Sequence, residues 1–149
     1  MFIQSSLEEI LPLINKLDDQ AKPNWGSLTP QGMVEHLTDT LKIASGETRY
    51  KLVIPEEKLE SMQRFLETDK EMVRNIEVPF APKVRELRNE SISDAIDEFV
   101  EQWIAFEEHY ENEGTRELHP FYGDLNFDQW KKLNSKHLTH HFKQFGLIK

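Results

Sequence analysis

Between residues 129 and 145 the chain reads QWKKLNSKHLTHHFKQF. At 100° per residue, His137 and His141 fall about 20° to either side of Trp130, and Gln144 falls close to them. The lysines of this stretch lie away from that centre, at positions 131, 132, 136 and 143. The stretch therefore predicts an amphipathic helix with two histidines, one turn apart, in the middle of its buried face.

Working outward from this stretch, helical spacing and capping residues predict three further helices. Their expected bounds are Ser6 to about Asp19, Thr29 to about Gly46, and Ser91 or Ser93 to about Glu113. The helix of the opening stretch is expected to begin after a cap at Asn126 and to reach about Phe145. Pro12 lies inside the first pattern and is expected to kink or delay that helix.

Residues 47–90 carry a weaker pattern, which we interpret as a long crossover. Within it, Pro55 opens a short accessory helix with apolar side chains at Leu59, Met62, Phe65 and Leu66, and residues 78–82 form a stiff connection. No alternation of the β type stands out. We therefore predict an all-α protein, a four-helix bundle with a long crossover carrying an accessory helix, in a single domain of residues 1–149.

The composition excludes several classes of protein. The chain has 149 residues, a formal net charge of −9 and no cysteine. Phosphate neutralisation needs clustered lysine and arginine, so we expect no nucleic-acid partner and no anionic membrane partner. No run of about 18 apolar residues is present, and the N-terminal segment is not expected to be a signal peptide. We expect a cytoplasmic domain that uses only oxygen and nitrogen chemistry.

The histidines are the candidate chemical groups. His36 faces inward on the second predicted helix, while His137 and His141 have the i, i+4 spacing that lets two imidazoles reach one ion. We therefore predict a divalent metal site formed by His36, His137 and His141. The chain has no cysteine, and no sequence-adjacent carboxylate completes a closed site, so one or more positions stay open for water or substrate. This is the catalytic arrangement.

Each histidine also has a structural interpretation, because a single inward imidazole is usually a hydrogen-bonded core group. Burying a pair of unpaired imidazoles is costly, which favours the metal interpretation for His137 and His141. His140 lies at the edge of the stripe, either as a surface residue or as a group that supports the site. His119 precedes a proline in an aromatic turn, where a pocket role and a turn role are both open. His109 lies in a charged segment and is expected to be solvated.

Motifs of several other enzyme classes are absent. The sequence contains neither the Glu-x-x-His pattern of ferritin-like di-iron bundles nor the His-Glu-x-x-His pattern of zinc proteases. It also has no glycine-rich phosphate loop and no Gly-x-Ser-x-Gly nucleophile turn.

Two segments resemble one known superfamily. After Trp25, residues 29–37 read TPQGMVEHL, which is similar to the first-histidine region of the DinB/YfiT-like metalloenzymes. Residues 137–146 read HLTHHFKQFG and resemble their last helix, which carries His-x-x-x-His-x-x-Gln. Together with Trp130 and the HPFYG segment at residues 119–123, this ending is similar to an uncharacterised DinB-like branch.

The resemblance implies a four-helix bundle of non-ferritin topology with a divalent ion, zinc or nickel, held by three histidines. The ligand positions fall on His36, His137 and His141, and Gln144 matches the glutamine of the pattern. His140 departs from the broader pattern, but helical spacing favours its neighbour as the ligand. Relatives include transferases and isomerases that use low-molecular-weight thiols, and others have no known activity, so the resemblance does not fix the reaction.

Two classes of function follow. The first is a metal-dependent enzyme, a thiol-dependent transferase or isomerase or a metal-assisted hydrolase, acting on a small-molecule substrate such as a low-molecular-weight thiol. The alternative is a non-catalytic helical module that binds a metal or a small molecule. No catalytic base follows from the sequence, and Trp25, His119, His140 and Gln144 are expected to line the pocket or support the ligands. Bundles of this kind can pair through exposed apolar faces, so a homodimer is an open alternative to a monomer.

Overall fold

The computed structural model describes residues 1–74 and 85–149. Helices account for about half of this part of the chain, and one two-stranded sheet accompanies them. In chain order the elements are α1 (Leu7–Ile14), α2 (Pro30–Ala44), a 3₁₀ turn (Glu56–Lys58), α3 (Leu59–Phe65), α4 (Ile92–His109), β1 (Arg116–His119), β2 (Gly123–Asn126) and α5 (Phe127–Gln144). None of these helices has the length and apolar character needed to cross a membrane.

The four predicted long helices begin at the caps that the sequence indicates. Each capping side chain accepts a hydrogen bond from the backbone N–H three residues later, at Ser6, Thr29, Ser91 and Asn126. At Asn126 the side chain of Gln129 also accepts from the cap backbone, which completes a capping box. The start of each helix, and hence the direction in which its side chains point, is therefore set locally.

Two helices end earlier than predicted. Helix α1 ends at Ile14 rather than about Asp19, and α4 ends at His109 rather than about Glu113. After both ends the backbone changes to i→i+3 hydrogen bonds, which tighten the chain into turns. Pro12, which has no N–H to donate, lies within the shortened α1. The accessory helix of the crossover is present as α3, whereas the predicted stiff connection at residues 78–82 lies outside the described residues.

The prediction that the chain has no β structure is wrong. Strands β1 and β2 pair antiparallel, and the aromatic turn predicted at residues 119–124 is the end of this hairpin. Gly123 has a positive φ of 78°, a conformation that glycine adopts without strain. Strands of four residues are too short to show the alternation by which strands are recognised in a sequence.

One hydrophobic core joins side chains of α1, α2, α4 and α5. Helix α2 makes its most extensive contacts with α4 and also contacts α5 and β1. The large side chains of Met33, Trp103, Trp130 and Phe145 are buried in this core. The central position of α2 places its remaining face, which carries His36, against α5.

Lys136 departs from the solvated face predicted for α5. Its side chain is buried, and its ammonium group donates hydrogen bonds to the backbone carbonyls of Thr68 and Lys70. The rings of Phe2 and Phe65 lie 4.4 and 4.3 Å from its Nζ atom. The crossover and the N-terminal segment therefore cover a side of α5 that periodicity alone assigns to solvent.

Candidate metal centre

Helices α2 and α5 bring three histidine side chains together. The Nε2 atom of His137 lies 3.0 Å from Nε2 of His36 and 3.0 Å from Nε2 of His141. One ligand atom from each ring lies within 4.8 Å of the other two. The three positions predicted as ligands thus converge on one point between two helices.

The local sequence explains why these rings meet. His137 and His141 are four residues apart on α5, so they project from one face of the helix, one turn apart. His36 lies in the middle of α2, on the face that α5 contacts. Because Thr29 and Asn126 fix where the two helices begin, they also fix which residues face each other across this contact.

Gln144 determines which nitrogen of His141 carries its proton. The Nε2 atom of Gln144 donates to the backbone carbonyl of Trp25 at 2.9 Å, so its Oε1 atom faces Nδ1 of His141, 2.7 Å away. Nδ1 of His141 must therefore be the donor. The Nε2 atom of His141 is then unprotonated, and its lone pair faces His137. Hydrogen bonds of this kind fix the tautomer and orientation of histidines that bind metals.

Burial keeps the three imidazoles neutral. Loss of water lowers the pKa of His36 to about 4 and the pKa values of His137 and His141 well below the usual range. Three neutral rings whose Nε2 atoms meet at a common point fit a divalent ion, because neutral imidazole is the form that binds metals. His36 and His137 are partly exposed, whereas His141 is buried.

Trp25 and His140 lie beside the cluster. The two rings meet edge to face with centroids 5.4 Å apart, and the ring of His140 lies 4.9 Å from that of His141. Burial lowers the pKa of His140 and the charge of Arg74 lowers it further, while a hydrogen bond to the backbone of Met72 raises it. His140 is therefore a neighbour of the cluster and not one of its three converging rings.

The structure does not bring His119 into the cluster. It is the buried last residue of β1, and its ring contacts Tyr122 and Trp130, with centroids 4.9 and 5.5 Å away. Its Nδ1 atom accepts a hydrogen bond from the backbone N–H of Phe121 at 3.0 Å. Trp130 precedes His137 by seven residues, about 10 Å along α5. His119 thus belongs to the turn of the hairpin, next to the core.

His109 is not simply solvated, as its charged segment suggested. Its Nε2 atom lies 2.6 Å from a carboxylate oxygen of Glu117, and its side chain is about one-third exposed, at 32%. The unrecognised strand β1 carries Glu117 to the end of α4, which explains why the sequence did not reveal this pair.

The sequence did not reveal that two carboxylates on α2, near His36, hold the end of the crossover. The buried carboxylate of Glu35 accepts hydrogen bonds from the backbone N–H groups of Arg88 and Asn89 at 2.9 and 3.1 Å. Asp39 forms ion pairs with both Arg85 and Arg88. The end of the crossover is therefore tied to the helix that carries His36. The one signal in the sequence was a pair of acidic residues, four apart, on a mainly apolar helix.

Comparison with known proteins points to one family. Searches of curated proteins and of solved structures found no match. The family model described as "Protein of unknown function (DUF1569)" matches residues 59–146, which is more than half of the chain. The matched range contains His137, His141 and Gln144, whereas His36 and Trp25 precede it. DUF1569 is in the DinB/YfiT-like superfamily, the group that the histidine motifs resemble. The chain therefore belongs to the DUF1569 family, whose function is unknown.

Proposed function

We propose that this protein is a metal-dependent enzyme with its ion bound by His36, His137 and His141. One observation carries the proposal: three Nε2 atoms converge, with two separations of 3.0 Å, and two of the three rings are partly exposed. Structural zinc sites are closed by four protein ligands, whereas catalytic sites use three and keep a position for substrate. Among the described residues the converging group consists of three histidines, which corresponds to the catalytic pattern.

The fold supports the same assignment. We propose that α1, α2, α4 and α5 form a four-helix bundle of the DinB/YfiT type in a single domain, with α3 and the β hairpin as additions. The shared core and the contacts of α2 with α4 and α5 support this arrangement. The HPFYG turn and the histidine-rich α5 favour the uncharacterised DinB-like branch.

Zinc or nickel is the proposed ion, because imidazole nitrogen suits both and the chain has no cysteine for a softer site. When bound, such an ion would lower the pKa of a substrate thiol or of water and so provide a nucleophile near neutral pH. The reactions that fit are thiol-dependent transfer or isomerisation and hydrolysis of a small molecule in the cytoplasm. In each of them Gln144 orients His141, while Trp25 and His140 pack beside the ligands.

Screening of the metal-loaded protein tests this function. Protein purified without metal-affinity chromatography is expected to bind about one zinc or nickel ion per chain. It is then assayed with electrophiles plus low-molecular-weight thiols, and with simple esters. Turnover that a chelator abolishes and added metal restores is the expected result. Failure to bind either ion would contradict the proposal, and one bound ion without turnover across the screen would favour the non-catalytic metal-binding module.

Gln144 provides a test that needs no substrate. Gln144→Leu removes the acceptor for the Nδ1 proton of His141, so we expect zinc affinity to fall by about 10- to 100-fold, the usual cost of losing such a partner. Gln144→Glu keeps an acceptor and is the matched control, expected to bind zinc within a few-fold of wild type. Competition with a coloured chelator measures both. Equal zinc affinity in wild type and Gln144→Leu would show that this amide does not orient a ligand.

A further inference from the structure

A small cavity lies beside the histidine cluster, where α2, α4 and α5 meet. Half of its lining side chains are apolar, and the others are Thr40, Trp103, Asn134 and His137. The space open to the centre of a water molecule is about 10 Å³, which is room for one water molecule. The cavity is therefore too small for a substrate, but its polar lining suits a buried water.

Two nitrogen atoms of this lining have no hydrogen-bond partner among the described residues. They are Nδ2 of Asn134 and Nε1 of Trp103, and these two residues are almost fully buried, with 3% and 1% of their surface exposed. A buried N–H group without a partner costs free energy, so native proteins nearly always pair such groups with protein or with ordered water. Two such donors on one cavity indicate that it holds a hydrogen-bonding molecule.

Thr40 supplies an acceptor on the opposite helix. Its hydroxyl donates to the backbone carbonyl of His36 at 3.2 Å, so the lone pairs of Oγ1 remain available. A water molecule in the cavity therefore has an acceptor on α2 as well as donors on α4 and α5, which meets the two to four polar partners that a buried water needs.

His137 lies between this cavity and the histidine cluster. Its Nε2 atom is 3.0 Å from Nε2 of both His36 and His141. Asn134 stands one turn before His137 on α5, and His141 stands one turn after it, so the cavity reaches His137 from the side away from His141.

The other nitrogen of His137 needs a partner when the ring binds a metal. With Nε2 bound to an ion the proton of the ring is on Nδ1, and histidines that bind metals donate this proton to an outer acceptor. Gln144 is that acceptor for His141. Within the described residues no hydrogen bond of His137 uses Nδ1, so its outer partner is still to be assigned.

We propose that Asn134 is the positioning residue for His137 and acts through one water molecule in this cavity. The water accepts the Nδ1 proton of His137 and the indole proton of Trp103. It donates its own hydrogens to Oγ1 of Thr40 and to the amide oxygen of Asn134. Asparagine suits this role because its amide donates at one end and accepts at the other, and the two ends have nearly the same shape. The inference rests on the proposed function, because it explains how one of the three ligands is held in its metal-binding form.

Asn134→Leu tests this proposal, since leucine is similar in size and has no hydrogen-bonding group. Zinc affinity is expected to fall about tenfold, the lower end of the range for loss of an outer partner. Thr40→Val removes the acceptor on α2 and is expected to cause a smaller loss. Because both residues act through the same water, the double variant is expected to bind zinc about as weakly as Asn134→Leu alone. Competition with a coloured chelator measures all of these affinities.

Ser135→Ala is the matched control. It removes a polar group next to Asn134, but the hydroxyl of Ser135 lies 2.8 Å from that of Ser5 and does not line the cavity. Its zinc affinity is expected to equal that of wild type. Urea unfolding in the presence of a chelator shows that each variant is folded.

Nuclear magnetic resonance of zinc-loaded protein with ¹⁵N-labelled histidine gives a readout that a merely structural role would not move. The Nδ1 proton of His137 is expected to show a contact with water that is lost in Asn134→Leu. The Nδ1 proton of His141, which Gln144 binds directly, is expected to keep its resonance in the same variant.

Three results would overturn this inference while leaving the metal site intact. They are an unchanged zinc affinity in Asn134→Leu, losses that multiply in the double variant, and an Nδ1 proton of His137 that has no contact with water. A wild-type protein that binds no zinc would overturn the proposed function and this inference together.

Discussion

Replacing His141 with alanine is expected to remove stoichiometric metal binding, whereas replacing the adjacent His140 is expected to leave it. The reason is geometric: Nε2 of His141 lies 3.0 Å from Nε2 of His137, while the ring of His140 packs edge to face against Trp25. Loss of an outer hydrogen-bond partner costs about 10- to 100-fold in metal affinity, so loss of a direct ligand should cost more than about 100-fold. Elemental analysis after dialysis, followed by zinc competition titration, measures the difference.

His36→Ala and His137→Ala are expected to behave like His141→Ala, since each removes one of three converging nitrogens. His109→Ala is a control outside the cluster, because its ring pairs with Glu117. Circular dichroism of each variant separates a lost ligand from a lost fold. Retention of one ion per chain in His141→Ala, or equal loss in His140→Ala, would reject the assignment of the three ligands.

The metal-free protein is expected to lose several kcal/mol of unfolding free energy between pH 6.5 and pH 4.5. Burial lowers the pKa of His119 to about 3 and that of His36 to about 4, and it also lowers the pKa values of His137 and His141. In this window the unfolded chain binds protons at these residues and the folded chain does not. Stability must therefore fall as the pH falls, by about 1.4 kcal/mol per pH unit for each such group.

Urea unfolding in the presence of a chelator, at several pH values, measures this dependence. His119 is buried and its burial lowers its pKa to about 3, so it contributes about 2 kcal/mol over these two pH units. His119→Asn should reduce the slope by about one proton. An unfolding free energy that is constant between pH 6.5 and pH 4.5 would show that these imidazoles are not held neutral in the folded protein.

Local rules predicted the long helices well. Capping residues at Thr29 and Asn126 and a strong apolar stripe are properties of short segments, so they can be recognised without knowing what the segments contact. The three histidines were predicted for the same reason, because their inward direction follows from helical phase. The residue at which a helix ends depends on contacts with residues that are distant in sequence. The predicted ends of α1 and α4 were therefore less accurate than their predicted starts.

Features that depend on the crossover were not predicted. The burial of Lys136 requires the carbonyls of Thr68 and Lys70, and the position of Arg85 requires Asp39 on α2. Neither partner is near in sequence, and the segments involved show weak periodicity. The hairpin was missed because four-residue strands carry little pattern. Charged residues in segments without clear periodicity are usually predicted to be exposed to solvent. In this protein some of them pack against the helices that carry the histidine cluster.

The histidine cluster joins parts of the chain that are far apart along it. His36 and His137 are separated by 101 positions, and the carbonyl of Trp25 that fixes Gln144 is 119 positions away from it. Contacts of such separation require the closure of long loops, so they carry a high entropic cost and form when most of the chain is already in place. A partly folded chain with α5 formed but α2 undocked would offer an ion two histidines instead of three. Ion binding would therefore select the fully assembled chain and stabilise it against partial unfolding by mass action.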